Sequence, residues 1–244
     1  MKIMNKPTTD VYSMQAWATQ KDATLEFIYN ALDYWNIATA KGVDPLIAYV
    51  QYAVETGYGK FTGVLSGEYN NPCGLKIPEG GDCMIASSHK KFESWKEGIT
   101  AHIDHLALYA GADGYPMAKN DTPDPRHFSY LLGKGTTLAE MAAQWAVDTN
   151  YVALLSRLAE ELLEATQVRA ELAAQAENKD TWCVNGKPVA DVEVIKLDIE
   201  INGDLRQVEA IVKNNHNYIK LRDITDDKIK VDYFDGQIYL SSVG

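Results

Sequence analysis

The sequence predicts an α+β protein: a mainly helical catalytic domain with a small irregular β lobe, then a helical spacer and a small strand-rich C-terminal domain. Apolar residues of the first part recur at helical spacing, whereas apolar and polar residues alternate after residue 182. Between these parts, residues 151–177 contain neither Gly nor Pro. We therefore expect domains at 1–153 and 181–244, joined by a spacer at 154–180.

Two helices are predicted at the start of the first domain. Residues 22–40 form an apolar stripe at spacings of three and four, and this stripe contains Leu25, Ile28, Leu32 and Trp35. The next helix begins with Asp44 as N-cap and Pro45 at its first position, and it ends at Gly57.

Two capping boxes predict two further helices. SWKE at residues 94–97 begins a helix that ends near Gly111, and TLAE at residues 137–140 begins another, with Met141 and Trp145 on one side. Between residues 63 and 92, Gly, Asn, Pro and Ser accumulate and periodicity disappears. This segment predicts loops with a short irregular hairpin, which form one wall of a cleft.

The spacer carries a leucine-rich stripe close to heptad spacing, formed by Leu155, Leu158, Leu162, Ala165 and Leu172. The stripe allows two interpretations. Packing back onto the domain is favoured, because Arg169 interrupts the heptad; the alternative is a short coiled coil that would make a homodimer.

The C-terminal domain is predicted from alternating apolar residues and from turn signals. Asn202-Gly203 and Asn214-Asn215 separate three apolar runs, and Asp235-Gly236 joins two more in a typical hairpin pattern. No His, Cys or carboxylate spacing in this part suggests a catalytic site. We interpret it as a module for wall binding, dimerisation or spacing.

The composition excludes several classes of function. The 244-residue chain has a formal net charge of −11, and without clustered Lys and Arg it is not expected to bind nucleic acid. No apolar run predicts a membrane span or a secretion signal, so we expect synthesis in the cytosol. Three cysteines do not indicate a disulfide framework, although Cys73 and Cys83 could close one loop.

Glu55 is the principal catalytic candidate. It lies in the last turn of the second predicted helix, directly before TGYG at residues 56–59. The negative end of the helix dipole and apolar neighbours such as Val54 and Tyr58 both raise the pKa of a carboxyl group placed there. A carboxylic acid that is protonated near neutral pH can protonate the leaving oxygen of a glycosidic bond.

Four segments resemble a known family in the same order along the chain: ETGYG at 55–59, NNPCGLK at 70–76, FESWKEGI at 92–99 and WAVDTNY at 145–151. On these segments, about the first 165 residues are similar to the bacterial N-acetylglucosaminidases of glycoside hydrolase family 73. The resemblance implies a lysozyme-like fold and cleavage of peptidoglycan.

Two further segments, AHIDHLALYAG at 101–111 and TPDPRHF at 122–128, look like the branch that contains clostridial and bacillar autolysins and phage endolysins. With no recognisable secretion signal, we expect an endolysin that is made in the host cytoplasm and acts on Gram-positive cell walls after release. A secreted autolysin whose signal lies outside this sequence is the alternative.

The resemblance also implies roles for single residues. The family's catalytic glutamate falls on Glu55, and a tyrosine near its active centre falls on Tyr151, although the proline usual in that motif is missing here. Candidate substrate-binding residues are Tyr58, Asn71, Gly74, Phe92 and Tyr109. For Trp95 and Trp145 the apolar stripes favour core packing over sugar stacking.

The group that would stabilise the developing cation stays open between two alternatives. A second carboxylate could activate water, with Glu68, Glu79 and Asp82 as candidates in the cleft wall. Alternatively, the 2-acetamido group of the substrate could attack while Tyr151 orients it. A muramidase, a lytic transglycosylase or a non-catalytic wall-binding protein would be compatible with the same scaffold.

We expect no cofactor and no metal site. His89, His102, His105 and His127 accompany neither an HExxH nor a paired CxxC pattern, so hydrogen bonds within the fold are the favoured interpretation. The C-terminal segments YIKLRDI at 218–224 and VDY at 231–233 are similar to a stalk domain first named from copper amine oxidases. This copy offers no copper ligands.

Overall fold

The structure is a computed structural model that describes residues 1–146, 149–177, 182–184, 187–189, 194–201, 204–213, 216–219, 229–234 and 237–242. The chain divides into two compact units, Met1–Arg169 and Ala170–Gly244. The predicted boundaries at 153 and 180 stay predictions. Within the described residues, no helix is long and apolar enough to cross a membrane.

The first unit is built from α-helices, which confirms a mainly helical architecture. The helices are α1 (Val11–Gln20), α2 (Leu25–Ala40), α3 (Pro45–Thr56), α4 (Trp95–Ala110), α5 (Leu138–Trp145) and α6 (Thr149–Glu177), the last of which runs on past residue 169. Three single 3-10 turns lie at Gly67–Tyr69, Ala86–Ser88 and Ser129–Leu131. Helix α1 was not predicted.

Helix α3 supplies the centre of the core. Asp44 caps it by accepting a hydrogen bond from the Leu46 amide at 3.1 Å, and Gly57 ends it in the left-handed conformation at φ 59°. Residues 45–53 are all buried. Because α3 is enclosed in this way, side chains near its C-terminus are held by neighbouring elements.

The predicted face of α2 was right only in part, because Ile28 and Trp35 are partly buried and pack against the core but the two leucines do not. Leu25 and Leu32 are 53% and 48% exposed, whereas the buried face contains Phe27, Ala31 and Tyr34. The aromatic rings decide the orientation: Phe27 and Tyr34 stack on the ring of Tyr52 of α3, at centroid distances of 4.4 and 5.2 Å, and Tyr49 of α3 packs against both.

The predicted starts of α4 and α5 were found, but their caps differ. At α5 the Thr137 and Glu140 side chains bind each other's backbone amides in a complete capping box. At α4 the Ser94 hydroxyl accepts from the Glu97 amide, while the Glu97 carboxylate accepts from the amide of Glu93 at 2.7 Å. The helix start was therefore right, and the reciprocal partner was one residue further out.

The segment between α3 and α4 contains no strand among its described residues. The hairpin expected there is reduced to one bridge between Lys76 and His89, flanked by backbone hydrogen bonds from Ile77 to Ser88 and from Lys90 to Leu75. The β lobe is thus smaller than predicted.

Helix α6 packs its first turns into the core of the first unit. Leu155, Leu158 and Leu162 are at most 3% exposed and belong to the same apolar cluster as α3. Over these turns the leucine stripe packs back onto the domain, as the favoured interpretation predicted. The helix begins at Thr149, before the predicted spacer, so it also carries Tyr151.

The second unit contains antiparallel strands. The strands are β1 (Trp182–Val184), β2 (Lys187–Val189), β3 (Val194–Ile201), β4 (Asp204–Lys213), β5 (His216–Ile219), β6 (Ile229–Phe234) and β7 (Gln237–Ser242). They pair as β1-β2, β3-β4-β5 and β6-β7. The predicted turns at 202–203, 214–215 and 235–236, and most of the YIKLRDI segment, lie outside the described residues. A separate strand-rich domain stays a prediction.

Candidate functional site

Three helices bring their side chains together at Glu55. Glu55 lies in the last turn of α3 and is partly buried. The hydroxyl of Tyr151, in the first turn of α6, donates a hydrogen bond of 2.5 Å to its Oε1 atom. The indole of Trp145, the last residue of α5, lies close enough to act as a second hydrogen-bond donor that favours the charged form of the same carboxyl group.

The environment raises the pKa of Glu55 to about 7. Desolvation by burial is the largest effect, and it outweighs the hydrogen bonds from Tyr151 and Trp145, which lower the pKa by favouring the charged form. The direction is the one expected from the sequence. A group with this pKa is partly protonated and partly ionised at neutral pH, which suits an acid that must first donate a proton and then recover it.

Tyr151 holds a fixed position between two partners. Its hydroxyl accepts a hydrogen bond from Nε2 of Gln51 at 3.2 Å while it donates to Glu55. Burial, reinforced by the nearby charge of Glu55, raises the pKa of Tyr151 far above its usual value. The phenol therefore stays protonated and acts as a hydrogen-bond donor to Glu55.

A cleft of about 320 Å³ is lined in part by Trp145, whereas neither Glu55 nor Tyr151 is among its lining residues. Its lining includes Cys73, Gly74, Tyr109, Arg126 and Trp145. Trp145 also acts on the pKa of Glu55, and the charge of Glu55 contributes to a raised pKa of the buried Cys73 thiol, after desolvation as the main cause. Trp145 and Cys73 therefore connect the cleft with the candidate acid.

One lysine and one arginine side chain hold a loop at the edge of the cleft. Lys76 and Arg126 both line the cleft, and they bind the backbone carbonyls of Gly81 and Pro78, at 2.5 and 3.0 Å. The segment between these carbonyls contains Glu79. The structure thus places one of the predicted second carboxylates on a loop that borders the cleft.

The predicted binding residues divide into two groups. Gly74 and Tyr109 line the cleft, and Gly74 adopts φ 68°, a conformation that favours glycine. The other three have different environments. Tyr58 packs against the rings of Trp17 and Phe27, at centroid distances of 5.6 and 6.0 Å.

Asn71 and Phe92 support the cleft from within the protein, which corrects the expectation that they contact substrate. The amide of Asn71 is buried and binds the carbonyls of Leu75 and Lys90, at 2.8 and 2.9 Å. Phe92 is 2% exposed and packs in a cluster with Cys73 and Leu75. Both side chains are occupied in shaping the cleft wall.

The three candidate second carboxylates are exposed on the segment between α3 and α4. Glu68 lies in a 3-10 turn, Glu79 on the loop at the cleft edge, and Asp82 accepts a hydrogen bond from the amide of Met84 at 2.8 Å. Among the described residues, no hydrogen bond or ion pair joins any of them to Glu55.

The histidines bind partners within the fold, as expected. Nδ1 of His105 and of His127 contact the same Asp124 carboxylate, at 2.8 and 3.0 Å. Burial acts to raise the pKa of Asp124, but its polar contacts, led by the hydrogen bonds from His105 and His127, outweigh burial and hold the pKa at about 2. His105 also lines the cleft. Within the described ranges, no group of His, Cys, Asp and Glu side chains could hold a metal ion.

The two cysteines of this region do not form the disulfide that was considered. Cys73 is buried in the cleft floor and Cys83 is exposed, and both are free thiols. Instead of a disulfide, hydrogen bonds from the Lys76 and Arg126 side chains to backbone carbonyls hold this loop.

Comparison with known proteins identifies the family. A family model described as mannosyl-glycoprotein endo-beta-N-acetylglucosaminidase, or Glucosaminidase, matches residues 31–164, which contain Glu55 and Tyr151. The chain belongs to this glucosaminidase family. A protein of Borreliella burgdorferi (strain ATCC 35210 / DSM 4680 / CIP 102532 / B31), described as uncharacterized, is 33% identical over 134 residues.

This alignment covers 55% of the present chain and 62% of the Borreliella protein. The chain thus spans less than two thirds of the length of that protein. No solved structure matches the chain.

Sequence reasoning missed two residues next to Glu55. Gln51 lies four residues before Glu55 on α3, and this spacing puts both side chains on one face of the helix, so the pattern contained a usable signal. Trp145 packs against the core, as expected, but its contact with Glu55 was not predicted. An indole on an apolar stripe gives no sequence signal for the polar contact that it makes at its edge.

Proposed function

We propose that this protein is a peptidoglycan hydrolase that cleaves the β-1,4 bond following N-acetylglucosamine, with Glu55 as general acid. The observation that carries the proposal is the partly buried carboxyl group of Glu55, which accepts a hydrogen bond from Tyr151 and has a pKa of about 7. Trp145, which acts on the same pKa, also lines the cleft. Membership of the glucosaminidase family supports a glycoside hydrolase of this kind.

The environment of Glu55 suits both halves of a proton transfer. Burial favours the neutral acid that protonates the leaving oxygen, and the hydrogen bonds from Tyr151 and Trp145 favour the carboxylate that is left behind. Because the resulting pKa is about 7, neither the donation nor the recovery of the proton is strongly uphill at neutral pH. Charge then develops on the sugar ring as an oxocarbenium-like state.

Two routes could stabilise that charge, and their products differ. A carboxylate that activates water on the opposite face of the ring would invert the anomeric carbon, and the loop position of Glu79 at the cleft edge favours this residue among the three candidates. Attack by the 2-acetamido group would retain the configuration. Proton NMR of the first reducing ends distinguishes the two routes.

The biological role is a further part of the proposal. We infer an endolysin that is made in a host cytoplasm and degrades the walls of Gram-positive bacteria after release, with the C-terminal part binding the wall or pairing two chains. The resemblance of residues 101–111 and 122–128 to endolysins supports this role. Pull-down on purified cell walls, together with sedimentation of the full chain, tests the C-terminal part.

Mass spectrometry of muropeptides tests the reaction. Purified peptidoglycan is digested with the wild type, with Glu55→Gln and with Glu160→Gln, an exposed glutamate of α6. We expect new reducing ends on N-acetylglucosamine from the wild type and from Glu160→Gln, and a loss of activity of at least about 100-fold in Glu55→Gln. Reducing ends on muramic acid would instead indicate a muramidase, and anhydro products a lytic transglycosylase.

A further inference from the structure

A series of hydrogen bonds links Tyr34 to Glu55 and joins residues of four helices, α2, α4, α3 and α6. The Tyr34 hydroxyl contacts Nδ1 of His102 at 2.9 Å, and Nε2 of His102 contacts Oε1 of Gln51 at 3.0 Å. Nε2 of Gln51 then contacts the Tyr151 hydroxyl, which contacts Glu55. Tyr34, Gln51 and His102 are each 0% exposed, so water does not compete for these bonds.

The chemistry of the donors gives every bond one direction. The amide oxygen of Gln51 only accepts, so Nε2 of His102 must carry a hydrogen. Burial lowers the pKa of His102 to about 3, which keeps the ring neutral with a single N–H. Its Nδ1 atom therefore accepts from the Tyr34 hydroxyl.

The orientation of the Gln51 amide has a second support. Its Nε2 atom also approaches the sulfur of Met141 at 3.6 Å, and a thioether accepts but does not donate. If the amide were reversed, its oxygen would compete with Glu55 for the only proton of the Tyr151 hydroxyl. In the observed orientation, Gln51 occupies the acceptor side of that hydroxyl and directs the proton to Glu55.

We propose that Gln51 and His102 are positioning residues that act on Glu55 through Tyr151. His102 selects the orientation of the Gln51 amide, and Gln51 fixes the rotation of the Tyr151 hydroxyl. This inference rests on the proposed function, because the positioned proton is that of the Tyr151 hydroxyl, which donates to the proposed general acid, Glu55. Both residues are fully buried and cannot contact substrate, so their effect is expected on turnover and not on substrate binding.

The other groups around Glu55 and His102 are few. Trp145 of α5 acts on the pKa of Glu55, and its ring also packs against His102 at a centroid distance of 6.1 Å. The Cys73 thiol lies near enough to Glu55 to interact with it electrostatically. After burial, the pKa of His102 is also affected by His105 on its own helix, which lowers it, and by Asp124 on the following loop, which raises it. The loss of the Tyr151 bond therefore removes one of the two hydrogen bonds that favour the Glu55 carboxylate.

The pH dependence of turnover tests the proposal. In Gln51→Leu the Tyr151 hydroxyl is free to turn away, so the carboxylate of Glu55 loses a donor and its pKa rises. The alkaline limb of kcat on purified peptidoglycan should move upward by about one pH unit, with KM changed less than about twofold. Gln167→Leu, the same change at an exposed position of α6, should leave the limb in place.

The double variant tests whether Gln51 acts through Tyr151. Tyr151→Phe should shift the limb in the same direction, and Gln51→Leu combined with Tyr151→Phe should shift it no further than Tyr151→Phe alone. Additive shifts, or a Gln51→Leu variant that loses activity at every pH with an unmoved limb, would overturn the proposal.

Nitrogen NMR of the wild-type histidines tests the same proposal without any variant. We expect His102 to be neutral at pH 6, with its hydrogen on Nε2; a hydrogen on Nδ1 would reverse the series of hydrogen bonds and overturn the inference. Since this measurement requires no activity, failure of the proposed reaction and failure of the hydrogen-bond series give different results.

Discussion

At the scale of single residues, Glu55 shows how opposing contacts set a useful pKa. Desolvation raises the pKa, and the Tyr151 and Trp145 donors limit the rise to a value of about 7. Neither influence alone would give an acid that exchanges its proton at neutral pH. Because the folded protein desolvates this group, the ionised carboxylate lowers the free energy of unfolding.

This effect predicts that Glu55→Gln stabilises the protein at alkaline pH. The pKa of Glu55 is raised in the folded state, so the folded protein binds the proton more tightly, and its stability falls as pH rises from about 4.5 to about 7. At pH 8 the variant should be more stable by up to about 3 kcal/mol, and at pH 4 nearly unchanged. Urea unfolding at the two pH values measures this difference.

The control is Glu160→Gln, because Glu160 is exposed on α6. It should change the free energy of unfolding by less than about 0.5 kcal/mol at either pH. A Glu55→Gln variant that is less stable than the wild type at pH 8 would show that the carboxylate is well solvated in the folded state.

The sequence identified Glu55 and Tyr151 as candidates because both stand in recognisable motifs. It did not identify Gln51 or His102 as part of the site. A buried amide and a neutral histidine differ little in sequence from core residues with satisfied hydrogen bonds, and their direction of donation depends on partners 51 and 68 residues away.

At the scale of secondary structure elements, helix starts and ends were the most predictable features. Asp44, Ser94 and Thr137 each accept a backbone hydrogen bond at a predicted N-cap. The buried face of α2 was less predictable, because stacking of Phe27 and Tyr34 on the aromatic residues of α3 outweighed the aliphatic stripe. The faces of a helix depend on which neighbour it meets.

Gly98 of α4 lies where the packing leaves no room for a side chain. A Cβ atom built at this position would lie 1.9 Å from the backbone oxygen of Asn70, so the helix approaches the segment that carries Asn71 and Cys73 more closely than any side chain allows. Gly98→Ala should therefore destabilise the protein by about 1–3 kcal/mol and impair the cleft, although alanine favours helices.

The matched control is Gly63→Ala, where a Cβ atom would meet nothing within 4 Å and the backbone is not left-handed. Thermal unfolding of both variants measures the difference. Equal melting temperatures would contradict the close approach of α4 to the segment.

At the scale of the whole molecule, the site depends on contacts between parts that are distant in sequence. Tyr151 and Glu55 are 96 residues apart, and Arg126 reaches a carbonyl 48 residues away. The helical architecture of the first unit could be predicted from local periodicity and caps. A cleft with residues 63–92 in one wall could be predicted as well, but its shape could not, since these loops are held by the buried amide of Asn71 and by long-range pairs.

The packing of helix α6 was also only partly predictable from local sequence. Its length was predicted from the absence of Gly and Pro, yet its first turns belong to the core of the first unit through Leu155 and Leu162. Its N-terminal turn carries Tyr151 to Glu55. The division between catalytic domain and spacer is therefore less sharp along this helix than composition indicates.

Infrared difference spectroscopy of the Glu55 carboxyl group, wild type minus Glu55→Gln, tests the central claim most directly. The C=O stretching band of the protonated acid should persist to neutral pH and titrate with a midpoint near 7, the pKa that burial gives this group. A midpoint near the ordinary glutamate value of about 4.3 would contradict the account, because Glu55 would then be ionised at neutral pH and could not act as the proton donor.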